Sequence, residues 1–157
     1  MRLPKPELEK RVFEKFIKHL GTNVIRFHSC DPPQPDICCD AEGGKLYFEL
    51  TDNTSEESQK SVHAKAETSR NTAYWFEPFP QTYTQKFEKH YETESADCEL
   101  VIYFGTHPVC DLGQHFDSRL HENIEWIQAN MKQSQFRKVW IYDYHRDRVL
   151  ACINKSN

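Results

Sequence analysis

The chain is expected to fold as one α/β domain around a mixed central sheet, and three features of its 157 residues point there. Three segments carry apolar residues at helical spacing, and shorter β-rich runs lie between them. They interleave in the order helix, three strands, helix, strand, helix, strand, strand, which suits helices packed on a mixed sheet. No shift in composition divides residues 1–157, and that length can bury a substantial core as a single domain.

The first helix begins behind Pro4 and Pro6, with Glu7 and Glu9 in its first turn, and Gly21 ends it. Leu8, Val12, Phe13, Phe16, Ile17 and Leu20 form its apolar face. Residues 24–29 alternate as a first strand, and a proline-rich corner, Asp31-Pro32-Pro33-Gln34-Pro35, follows. Residues 36–40 and 45–51 make a hairpin around Glu42-Gly43-Gly44. A polar insertion at about 52–80 starts as a loop and solvated helix. It ends in an aromatic connector, residues 71–80. The second helix is expected over residues 81–93, with Tyr83, Phe87 and Tyr91 on one stripe. Residues 99–105 read as a buried strand closed by Gly105 and Pro108. The third helix, about 114–132, carries Phe116, Leu120, Ile124, Ile127 and Met131. Strands at 138–144 and 148–154 close the chain around a polar turn at His145-Arg146-Asp147.

A content of 38% hydrophobic and 13% aromatic residues argues against disorder. The formal charge of -4 supplies no global attraction to nucleic acid, so binding to it would need local basic patches or a metal. No apolar run approaches a membrane span, and the first residues do not read as a signal peptide. The six cysteines contain no CxxC and read as the reduced thiols of a cytoplasmic protein. A zinc site is not expected. Cys38 and Cys39 are consecutive on a strand and face opposite ways, so they cannot join His28 and Cys30 around one ion. His107, Cys110 and His115 lack a fourth partner.

The chemistry concentrates between Pro35 and Asp52. An antiparallel hairpin sets the start of one strand beside the end of the other, which brings the carboxylates of Asp36 and Glu49 together. Paired carboxylates repel unless a proton or cation lies between them, and hard oxygens suit Mg²⁺. Glu49 also interrupts the apolar run Leu46-Tyr47-Phe48-Glu49-Leu50, where an ionised side chain needs a partner. Glu9 sits near the centre of the apolar face of the first helix. A carboxylate there is costly unless it faces a site, although the helix dipole also favours it as a solvated first-turn acid.

Pro35-Asp36 followed by Glu49-Leu50-Thr51 resembles the metal-binding motif of the PD-(D/E)XK nuclease superfamily, and the element order is similar to that superfamily's αβββαβ core. The resemblance implies a restriction-endonuclease-like fold with an extra C-terminal helix and strands. It also implies a Mg²⁺- or Mn²⁺-dependent nuclease acting on DNA, or less readily RNA, with a homodimer as one arrangement for cutting both strands. In that reading Asp36, Glu49 and the Leu50 carbonyl hold the metal, which polarises the scissile phosphate and activates water, and Glu9 is an auxiliary ligand or base. Thr51 stands where the motif's lysine is expected. Some relatives carry that lysine on the following helix, and here Lys86 flanks the apolar stripe more closely than Lys89, so Lys86 is the expected charge stabiliser. Lys60, Lys65 and Arg70, with Trp75, offer a phosphate-and-stacking set, against the plainer reading of a solvated segment. The alternative function is a binding or regulatory module on the same fold, catalytically inactive through loss of the motif lysine.

Overall fold

The structure is a computed structural model that describes residues 3–53, 83–106 and 116–156. It bears out the α/β expectation. Six strands form one sheet in sequential order: β1 (Val24–Ser29), β2 (Ile37–Ala41), β3 (Gly44–Asp52), β4 (Asp97–Phe104), β5 (Phe136–Asp143) and β6 (Arg148–Asn154). The first three form an antiparallel meander, β4 and β5 run parallel to β3, and β6 returns antiparallel at the far edge.

Among the described residues three helices cover the sheet: α1 (Lys5–Phe16), α2 (Thr84–Glu88) and α3 (Phe116–Asn130). α1 packs Val12, Phe13 and Phe16 onto Phe48, Leu50, Val101, Trp140 and Tyr142. The opposite face carries Tyr47, Leu100, Ile102, Val139 and Ile141 under Tyr83, Phe87, Tyr91, Ile127 and Met131. β4 is covered on both faces, which is why Leu100 to Phe104 is continuously apolar rather than alternating. Cys38 and Cys39 fall on opposite faces, as consecutive strand residues must.

Two helix ends, those of α1 and α2, differ from expectation by more than the usual one or two residues, and the end of α3 differs by two. α1 stops at Phe16 and is followed by a single 3-10 turn, Ile17–His19, before Gly21 is reached. α3 gives way at Asn130 to a 3-10 turn, Met131–Gln133. The larger correction is α2, which ends at Glu88 instead of continuing to residue 93. Lys89 is already extended (ψ 142°). Tyr91 is then gripped by the Gln135 side chain, whose amide donates to the Tyr91 carbonyl and whose oxygen accepts from the Tyr91 amide, both at 2.8 Å. Glu92 N donates to Pro33 O at 3.0 Å. These tertiary bonds outweigh the local helical pattern, because each backbone group can serve only one geometry.

Two turns set the position of the functional region. Ala41 pairs with Gly44 across a two-residue hairpin turn, with Gly44 at φ 119°, a conformation that favours glycine. The proline corner between β1 and β2 is closed by Cys30 N donating to Asp36 O at 2.8 Å and Gln34 N to Asp31 O at 3.0 Å. That closure delivers Asp36 to the first position before β2.

Candidate functional site

The β2–β3 ladder runs out at Ile37 opposite Phe48, so Asp36 and Glu49 are the next pair in register. Beyond the ladder, Asp36 continues the pairing with its side chain: Leu50 N donates to Asp36 Oδ2 at 2.8 Å. The amide and carbonyl of one strand residue face the same side, so the Leu50 carbonyl also faces Asp36. Phe48 and Leu50 pack under α1, and Glu49 between them therefore points to the opposite face, where Lys86 Nζ stands 3.7 Å from its Oε2. Glu9 enters from α1, one turn before Val12 and Phe13. The structure thus brings Glu9, Asp36, Glu49 and Lys86 into one neighbourhood, from α1, the start of β2, the end of β3 and α2.

These carboxyls are expensive to ionise. Glu49 is only 3% exposed, and its pKa is pushed up to about 8. Burial is the main cause, contact with the Asp36 carboxyl and its charge add to it, and Lys86 and Tyr91 offset part. Glu9 is pushed up to about 7, first by burial and then by the charge of Asp36, against Lys5 and Lys86. Its Oε1 is buried and accepts no hydrogen bond. The nearest cation, Lys5 Nζ, lies 3.6 Å away, too far for one.

Three other acids, the buried Glu99 and Asp143 and the half-buried Asp147, are treated differently. Glu99 accepts from Trp140 Nε1 at 2.7 Å and from Arg137 Nε and Nη2 at 3.2 and 2.9 Å. Asp143 accepts from the Arg146 amide and guanidinium, both at 3.1 Å. Asp147 takes Lys18, His19 and Tyr142 as donors and tethers the end of α1 to the β5–β6 turn. Those three acids are satisfied and hold the fold together. Glu9 and Glu49 face lysines only at long range, so their burial is not explained by structural pairing.

Thr51 is buried on the Glu49 face of β3, and Lys86 occupies the neighbourhood that a lysine at position 51 would serve. An open cleft of about 350 Å³ runs along Gln85, Lys86, Glu88 and Lys89, where Lys86 meets solvent. Lys89 is exposed and lies over the Tyr91 ring at 5.6 Å. His90 is exposed. Lys60, Lys65, Arg70 and Trp75, together with His107, Cys110 and His115, lie outside the described residues.

Among the described residues no three His, Cys, Asp or Glu side chains stand at the spacing of a metal-holding group. Glu9, Asp36 and Glu49 neighbour one another without meeting at one point. A set of two carboxylates and a backbone carbonyl is smaller than such a group. Cys30, Cys38, Cys39, Cys98 and Cys152 are free thiols, and no helix among the described residues is long and apolar enough to cross a membrane.

Reading the sequence missed one resident of this neighbourhood. The spacing places Tyr91 on the apolar stripe of a helix, yet its hydroxyl lies close enough to act on the Glu49 carboxylate. Nothing in the local sequence marks it, because the extended course of residues 89–93 depends on Gln135, more than forty residues away. No protein-family model, curated protein or solved structure matches this chain.

Proposed function

We propose that this protein is a divalent-metal-dependent nuclease that hydrolyses phosphodiester bonds of DNA, or secondarily RNA, at the Asp36/Glu49 site. The observation that carries the proposal is the under-satisfied acidic neighbourhood: two buried glutamates with raised pKa, beside Asp36 and a single partly exposed lysine. Buried acids with perturbed pKa beside a specific cation are functional-site candidates.

The residues present fit a hard divalent cation. Their donors are carboxylate and carbonyl oxygens, and the Glu9 Oε1 atom is buried with no hydrogen bond to satisfy it. Asp36, Glu49 and the Leu50 carbonyl would hold Mg²⁺ or Mn²⁺, with Leu50 N fixing the Asp36 rotamer from the other carboxylate oxygen. Such a cation supplies Lewis acidity toward a phosphate oxygen. The chain does the rest. With a pKa of about 7, Glu9 can accept a proton from an attacking water at Oε1 near neutral pH. Lys86, reaching solvent along its cleft, places positive charge where the phosphate gains negative charge. The free thiols suit a reducing, cytoplasmic setting.

One observation favours a second reading, a binding or regulatory module. Thr51 leaves the motif position without a lysine, and Lys86 already faces Glu49 at 3.7 Å. Calorimetric titration of Mg²⁺ and Mn²⁺ separates the two. The nuclease reading expects binding that Asp36→Ala and Glu49→Ala each abolish, followed by cleavage in a screen of single- and double-stranded DNA and RNA. A wild-type protein that binds neither ion and cuts no substrate in their presence would sink it and favour the module.

A further inference from the structure

The Tyr91 side chain is 2% exposed, and its hydroxyl is buried with no hydrogen-bond partner. An orphaned buried hydroxyl is destabilising, and native folds rarely keep one without a use. This one is held in place by strong restraints. Gln135 binds both the amide and the carbonyl of Tyr91, the next residue is bonded to the proline corner through Glu92 N and Pro33 O, and the ring packs against Phe136 with centroids 5.7 Å apart. A rigid backbone and a packed ring leave the phenol little freedom to turn away. It lies close enough to Glu49 to act on that carboxylate without a formed hydrogen bond.

Resting on the metal-site reading above, we infer that Tyr91 is a positioning residue for that site: its hydroxyl donates to the Glu49 carboxylate when that group turns to bind the cation. The other Glu49 oxygen is then directed at the ion. The arrangement resembles the outer partners that orient metal-binding carboxylates in general. Lys86 draws Glu49 from the cleft side and Tyr91 from the core side, so the carboxylate is steered between two donors from the α2 segment. The proline corner that carries Asp36 is bonded to the extended segment that carries Tyr91, through Glu92 N and Pro33 O, which ties the positions of Asp36 and Tyr91 together.

The test uses the full chain as wild type, Tyr91→Phe, Glu49→Gln and Asp36→Ala. Manganese affinity is measured by calorimetry, together with the near-ultraviolet tyrosine difference spectrum on adding Mn²⁺ and the thermal midpoint without metal. Tyr91→Phe should hold or raise the metal-free midpoint, since it removes an unpartnered buried oxygen, and should weaken Mn²⁺ binding about ten- to a hundredfold. The wild-type difference spectrum should show a phenol gaining an ionic acceptor, and both Tyr91→Phe and Glu49→Gln should lose that feature. Wild-type binding that Tyr91→Phe matches in affinity would overturn the assignment and leave the metal site standing. Wild-type protein that binds no Mn²⁺, like Asp36→Ala, would overturn both. Any Tyr91→Phe loss confined to the thermal midpoint would reduce Tyr91 to a packing residue.

Discussion

A glutamate whose pKa rises on folding makes stability depend on pH in a defined direction. Glu9 and Glu49 move from 4.5 to about 7 and about 8, so between those values the folded chain holds protons that the unfolded chain has lost. Unfolding free energy then falls as pH rises. The contribution is complete below pH 4.5 and is lost through pH 7 to 8. Urea midpoints measured without divalent ions should therefore drop between pH 5 and pH 8.5, and Glu49→Gln should flatten part of that drop. A midpoint that rises over this range would contradict the burial of these acids. Lys86 permits a sharper separation of roles. Lys86→Met removes a competing positive charge, so Mg²⁺ affinity should hold or tighten while any turnover falls about a hundredfold. Equal losses of binding and turnover would show that Lys86 holds the site together rather than serving the phosphate.

Among the elements, the segment that ends α2 shows most clearly how packing overrides local pattern. Tyr83, Phe87 and Tyr91 recur every four residues, and that spacing reads as one helical stripe. All three are indeed buried on the same face of the sheet, but only the first turns are helical. The rest is extended because Gln135, just before β5, offers a side-chain amide that imitates a strand neighbour. Gln135→Ala should cost about 1–3 kcal/mol by leaving the Tyr91 amide and carbonyl unpaired, read as a lower urea midpoint with unchanged slope. No change would mean that water replaces the side chain without penalty. Elsewhere the periodicities were sufficient. The apolar face of α1 and the hairpin register both follow from side-chain spacing, and Glu9 is buried where the helical wheel set it.

At the scale of the whole molecule, the acidic neighbourhood lies where the antiparallel meander joins the parallel strands. Elements far apart in sequence meet there: α1, the start of β2, the end of β3 and α2. A ligand that binds only this assembled arrangement stabilises the whole domain. Mg²⁺ at about a hundred times its dissociation constant should add about 2.7 kcal/mol, a rise of about 5–10 °C in the thermal midpoint for a chain of this size. Asp36→Ala and Glu49→Ala should each remove the rise. A shift that survives both substitutions would place the cation elsewhere.

The sequence by itself determined the α/β class, the order of the elements and the placing of Asp36 beside Glu49. Each of these depends on periodicity or on a two-residue turn, which are local properties of the chain. Tertiary structure alone decided that Glu99 is fully satisfied while Glu9 Oε1 has no hydrogen bond, and that Tyr91 leaves its helix to face the carboxylates. Those outcomes depend on which side chains from distant segments reach a buried polar atom first. Hydrogen bonds and desolvation act over a few ångströms in space, whatever the separation along the chain.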